Sequence, residues 1–249
     1  MEDFYLTEQL LKGKKPAVRT LKELFPVLRT GYNPEPPENT AVYEMYRDLC
    51  ADGDRETIKR HGLRYDITVI HPNILANELT KTYGHYHKNG RLEISEVIRG
   101  EAWYILQKYA ENPHFIKEAY LVYVREGEKI VYPPGFGHIT INPKKDSELI
   151  TSNWISAKTE SDYIPYKQLR GACYYLYKNE NGELCREENK KYKDIPEIVR
   201  LAPKEIPEMK ITFDSPLYSM IKTPGKLDFL TSPENYKEIF TIENCFTKI

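Results

Sequence analysis

The run Thr82-Tyr83-Gly84-His85-Tyr86-His87, followed by Glu93 and closed by Gly100, constrains this 249-residue chain more than any other stretch. Strand side chains repeat every two residues, whereas a helix splays neighbours two apart, so His85 and His87 share one side only if their backbone is extended. A second stretch, from Gly127 through Pro133 and Gly135 to His138 and Asn142, brings a third histidine just after a Pro/Gly turn, at the start of another alternating run. Three imidazoles and one carboxylate make a borderline ligand set. It suits one divalent ion such as Fe, Mn, Ni, Co or Zn, with positions left open for a substrate.

The first stretch resembles the leading signature of the cupin superfamily: a glycine, His-X-His, a glutamate a few residues on, and a glycine after six more. The second resembles its partner signature, with Gly127, Pro133, Gly135, His138 and Asn142 at the matching intervals. Within cupins, the run from Thr82 to His87, preceded by Ile67 to Pro72 and by Val42-Tyr43-Glu44, is similar to the cupin-type phosphoglucose isomerases of archaea and some bacteria. The resemblance covers about Thr40 to Val199. It implies an all-β, single jelly-roll barrel whose ligands converge inside. It also implies interconversion of glucose 6-phosphate and fructose 6-phosphate, a divalent metal on His85, His87, Glu93 and His138, and pairing as a homodimer. Thr68, Thr82 and Gly84 stand where the family holds phosphate, Tyr43 matches a tyrosine lining its pocket, and Tyr163, with Tyr166 nearby, falls in its second tyrosine-bearing segment. Departures are Ser95, Gly135 and Ser161, where the family has tyrosine, tyrosine and histidine.

The rest of the chain is compatible with that picture. A formal charge of -1 argues against a nucleic-acid partner. No run is apolar and long enough to span a bilayer, and the first residues lack the basic and apolar regions of a secretion signal, so a cytoplasmic location is expected. Cys50, Cys173, Cys185 and Cys245 are widely spaced and read as reduced, structural thiols. Twenty tyrosines and seventeen prolines favour strands and turns over helices.

Residues 1–39 read as an N-terminal extension, with short helices over 6–12 and 20–28, Thr20 as N-cap, Pro26 as interruption, and a linker over 32–39. Residues 40–190 read as the barrel. Its strands are expected over 41–46, 64–70, 102–108, 116–124, 129–131, 138–142, 148–155, 172–177 and 183–187, with a charged loop through Arg60 and a two-residue hairpin turn at Asn181-Gly182. Recurrent prolines after Lys190 keep 191–249 from forming one long helix. That segment reads as an irregular tail wrapping the barrel or a partner subunit.

His61, His71 and His114 fit as packed or solvated histidines, and Glu96 and Glu101 as exposed strand carboxylates. Thr68 and Thr82 also fit as ordinary β-branched strand residues. Glu93 reads either as fourth ligand or as the group that moves a proton. Two rival functions use the same fold. One is a dioxygenase-like cupin with Fe(II) on the same four residues; the other is a non-catalytic sugar- or metal-binding cupin.

Overall fold

The computed structural model describes residues 2–29, 36–72, 75 and 78–249. Helix α1 (Glu2–Leu11) leads into strand β1 (Ala17–Thr20) and helix α2 (Leu21–Leu24). The Thr20 backbone N–H and hydroxyl both donate to Glu23 Oε2, at 2.8 and 3.1 Å, which starts α2 with Thr20 as its cap. Pro26 turns the chain into a single 3-10 turn, so the helix expected over 20–28 is shorter because Arg19 and Thr20 pair into the sheet. The linker expected over 32–39 lies partly outside the described residues.

The barrel follows: β2 (Ala41–Leu49), α3 (Arg55–Arg60), β3 (Leu63–Ile70), β4 (Thr80–Lys81), β5 (Tyr86–His87), β6 (Glu93–Arg99), β7 (Glu101–Tyr109), β8 (Ile116–Arg125), β9 (Lys129–Tyr132), β10 (Gly137–Asn142) and β11 (Leu149–Ser156). After it come β12 (Ser161–Asp162), α4 (Ile164–Gln168), β13 (Tyr174–Lys178), β14 (Leu184–Glu188), β15 (Val199–Pro203), α5 (Ile242–Cys245) and β16 (Phe246–Lys248). Two six-stranded sheets result, in the orders β1-β2-β3-β11-β6-β9 and β16-β15-β8-β7-β10-β4. The chain passes between them from β3 to β4 and again at the β6–β7, β8–β9, β9–β10 and β10–β11 connections, which is the jelly-roll pattern. At the β6–β7 crossing Gly100 has φ +94°, a left-handed conformation that side-chain-bearing residues resist. α3 occupies part of the expected charged loop. The expected hairpin turn is instead a loop over 179–183, because Asn179 Oδ1 accepts the N–H groups of both Asn181 and Glu183.

The first sheet turns its polar face inward. Register aligns Thr68, Asp66 and Arg64 on β3 with Thr151, Asn153 and Ile155 on β11, and the last two with Ser95 and Glu93 on β6. The opposite, apolar face carries Tyr65, Ile67, Ile94 and Trp154, all buried. The C-terminal segment covers it: Tyr218 packs its ring 4.9 Å from Tyr65, and Trp154 Nε1–H donates to Leu217 O at 3.0 Å. Glu96, expected to be exposed, is only 2% accessible. It pairs with Lys129 at 2.8 Å and accepts the Leu217 N–H at 2.9 Å, because the tail lies over its strand. Glu101 is half-buried, bonded to Trp103 Nε1–H and to Lys144.

Candidate metal centre

Backbone pairing joins the two histidine motifs. His85 N–H donates to His138 O at 3.2 Å and His138 N–H to His85 O at 3.0 Å, an isolated antiparallel bridge that stacks the first motif on the start of β10. Extended backbone through His87 then sends His85 and His87 to the same side, as the spacing requires. Glu93 enters from the first strand after the intervening loop. One donor atom from each of His85, His87, Glu93 and His138 lies within 4.8 Å of the others.

The finer geometry fits a cation. His85 Nε2 and His87 Nε2 stand 3.1 Å apart, and His87 Nε2 stands 3.2 Å from Glu93 Oε2. Donors about 2.1 Å from one ion stand about 3.0–3.4 Å from their neighbours, so both pairs already have that spacing. His87 Nδ1 is 3.1 Å from Arg91 O, an acceptor, which makes Nδ1–H the donor and leaves the Nε2 lone pair facing the cluster. His138 Nδ1 is buried and has no hydrogen-bond partner among the described residues. Tyr132 lies parallel over the His138 ring at 4.0 Å and fixes its plane.

Burial disfavours the charged form of His85 and of His138. It drives His85 well below the ordinary histidine value, helped by His138, His87 and Arg47, and takes His138 down to about 3. For Glu93 burial acts upward, but the hydrogen bond from His87 and the positive potential of the neighbouring side chains, Arg47 among them, outweigh it, so its pKa is lowered. The carboxylate therefore stays ionised. Its other oxygen accepts from Ser95 Oγ at 3.2 Å, and Ser95 Oγ accepts from Tyr132 O–H at 3.0 Å. Tyr132, from the neighbouring strand β9, thus reaches the site through Ser95.

Above the cluster opens a pocket, continuous with solvent, which Glu93, His85 and His138 help to line. His87 sits behind them, 8% exposed. Tyr43, Thr68, Thr82, Gly84 and Tyr163 all line the same pocket. Tyr43 O–H accepts the Tyr83 N–H at 3.3 Å, Thr82 Oγ1 accepts the Thr140 N–H at 3.0 Å, and the Tyr163 ring lies 5.3 Å from His85. Tyr166 lies apart from it, fully buried against Gly84 and Tyr86. His61, His71 and His114 are outside the cluster, beside Asp228, Glu148 and the Lys191 carbonyl respectively. The sequence reading missed Arg47, Arg64, Thr151 and Asn153 in the pocket wall. Strand phase carries a signal for one of them, since Arg64 shares the Thr68 face at four residues' separation.

A family model described as glucose-6-phosphate isomerase matches residues 18–194. Two curated relatives are the glucose-6-phosphate isomerases of Thermococcus onnurineus and Thermococcus kodakarensis. The first is 28% identical over 187 residues, covering 74% of this chain and 91% of the relative. The second is 27% identical over 195 residues, covering 77% and 95%. Among solved structures, oxalate oxidase in complex with the substrate analogue glycolate matches at 17% identity and a TM-score of 0.39, covering 57% of this chain and 64% of that one. The family match runs from β1 through β14 and so takes in every strand that brings a donor to the cluster: the chain belongs to the glucose-6-phosphate isomerase family.

Proposed function

We propose that the protein is a metal-dependent aldose–ketose isomerase that interconverts glucose 6-phosphate and fructose 6-phosphate. The observation that carries this reading is the convergence of three imidazoles and one carboxylate, from two separate motifs, at the floor of a polar pocket in a chain of this family. His85, His87, Glu93 and His138 would hold one divalent ion, Fe, Mn, Zn or Ni. When bound, that ion supplies Lewis acidity toward oxygens that gain negative charge.

The chain's own groups account for the proton. Glu93 turns one oxygen to the imidazole cluster and has the other held by the Ser95 hydroxyl. A carboxylate fixed in this way can take the proton from the carbon beside the carbonyl, hold it while the substrate is a cis-enediol, and return it to the adjacent carbon. Burial at 8% exposure limits exchange with water during that interval. Tyr43, Thr68, Thr82, Gly84 and Tyr163 are assigned to the sugar phosphate, with hydroxyls and backbone N–H groups as hydrogen-bond partners. The same reading takes residues 40–190 as the catalytic barrel and the enzyme as a cytoplasmic homodimer.

A coupled assay for glucose 6-phosphate formation from fructose 6-phosphate tests the proposal, run on chelator-treated protein before and after addition of Fe(II), Mn(II), Zn(II) or Ni(II). Activity that returns with a metal supports it. No turnover with any of the four, but oxygen uptake with Fe(II), would favour the dioxygenase-like alternative.

A further inference from the structure

The loop 88–92 joins two members of the donor cluster, His87 and Glu93. It turns through Asn89 and Gly90 at φ +60° and +62°, and it is fastened at each end. At its start, Lys88 N–H donates to Glu160 O at 3.0 Å and Lys88 Nζ pairs with the Glu160 carboxylate at 2.9 Å. At its end, Arg91 makes contacts in two directions. Its carbonyl accepts His87 Nδ1–H at 3.1 Å, while its guanidinium Nη1 donates to Leu230 O at 3.4 Å and Thr231 O at 3.2 Å.

Those two carbonyls close the 3-10 run Pro224–Leu230 in the C-terminal tail, beyond the residues that carry the family match. The last carbonyls of a helical run lack partners within it, and a cationic side chain suits them. The run itself is firmly seated. Leu227, Phe229 and Leu230 are fully buried, and the Phe229 ring lies 4.4 Å from that of Phe240. Asp228 O accepts the N–H groups of Thr231 and Ser232 at 3.1 and 2.8 Å. Between a packed tail and a loop that turns through two left-handed residues, the tail is the rigid party and Arg91 is what it positions.

The position of the Arg91 carbonyl matters because it decides where the His87 ring points. An imidazole that ligates a metal through one nitrogen has its orientation set by the acceptor its other N–H finds, and losing such an acceptor typically weakens metal binding about 10–100-fold. With the guanidinium released from the tail, the end of the loop can turn, and the carbonyl turns with it. His87 Nε2 then leaves the position it holds beside His85 Nε2 and Glu93 Oε2.

We propose that the C-terminal tail is a working part of the metal centre: through the Arg91 guanidinium it positions the Arg91 carbonyl, and through that carbonyl the His87 ring. Arg91 is thus a positioning residue for the cation. The inference rests on the cation site of the isomerase reading and not on its chemistry. Coupling of this kind is reciprocal, so a bound cation holds the tail more firmly at Leu230 and Thr231 by the same factor that the tail adds to cation affinity.

The test uses the full chain. Arg91→Met keeps the aliphatic stem and removes both donations to the tail, Arg91→Lys restores a donor, and Tyr218→Phe loosens the tail at Ala51 and Asp54, away from Arg91. Zn(II) affinity is measured by competition with a chromogenic chelator, ligand geometry by the visible spectrum of Co(II)-loaded protein, and folding by thermal unfolding. The expected result for Arg91→Met is a Zn(II) Kd raised at least about tenfold with shifted Co(II) bands. Arg91→Lys should recover most of the affinity, and Tyr218→Phe should stay within about twofold of wild type despite a lowered Tm. A Kd within about twofold and an unchanged Co(II) spectrum in Arg91→Met would overturn the proposal and make the contact a purely structural tie. A second measurement needs no variant to fold: in the wild type, Zn(II) should slow hydrogen exchange at the Thr231 and Ser232 amides about tenfold more than in the β13–β14 hairpin. Slowing no greater than in that hairpin would also overturn it. A wild type that binds Zn(II) but does not isomerise fructose 6-phosphate ends the isomerase reading and leaves the coupling standing, whereas a wild type that binds no cation ends both.

Discussion

Gly84→Ala separates a glycine needed for packing from one needed for a ligand. At Gly84, with φ +84°, an added Cβ would lie 2.4 Å from Ile139 Cγ2 and 2.6 Å from two atoms of the Tyr166 ring. Carbon atoms in good contact stand about 3.5–4.0 Å apart, so the methyl overlaps both by about 1 Å. Ile139 is held in β10 and Tyr166 is fully buried, so neither moves freely. The left-handed backbone costs an alanine about 1–2 kcal/mol and overpacking a further 1–3. The stiffer unfolded chain returns about 0.4–1. The net expectation is a loss of about 2–4 kcal/mol. Urea unfolding followed by tryptophan fluorescence reads this as a fall in the midpoint of about 1 M, at a slope of about 2–3 kcal/mol per molar. A loss below about 1 kcal/mol would refute the packing argument, and a raised KM with unchanged stability would assign Gly84 to the ligand instead.

Metal-free protein should lose stability as pH falls below about 6.5. His85 and His138 have depressed folded pKa values, so the unfolded chain binds more protons there; their contribution is intact above the unfolded value and lost on the way down to the His138 value of about 3. Each contributes a slope of up to about 1.4 kcal/mol per pH unit, read by urea titrations between pH 7 and 5, and a flat profile would contradict it. Glu93→Gln should keep the fold and lower kcat at least a hundredfold. Wild-type turnover in D2O should place some deuterium at the carbon that receives the proton, and its complete absence would count against Glu93 as base. Tyr218→Phe removes an acceptor for the Ala51 N–H at 2.7 Å and a donor to Asp54 at 2.9 Å; a loss of about 1–3 kcal/mol by thermal unfolding is expected with kcat unchanged.

Local spacing made the donor cluster legible. His85 and His87 depend only on extended backbone, and His138 follows its own turn, so each motif could be recognised without knowing where the other lay. Strand positions were legible for the same reason, to within a few residues. What stayed hidden depends on partners distant in sequence. β1 is too short to show a period, and it exists because it pairs with β2. Glu96 reads as a solvated carboxylate until Lys129 and Leu217 close over it. Nothing in β3 itself announces that its face carrying Tyr65 and Ile67 turns outward under the tail. Arg47 reaches Asp66 beside a bulge whose extra residue no alternation pattern announces.

Two motifs build one cation site. Its most direct test is the number of Mn(II) or Zn(II) ions retained per chain after dialysis, measured by elemental analysis on the wild type and on His138→Ala, with folding of both checked by circular dichroism. One ion per wild-type chain and close to none in the variant is the predicted outcome. A wild type that binds no metal, or a variant that retains as much, would contradict it.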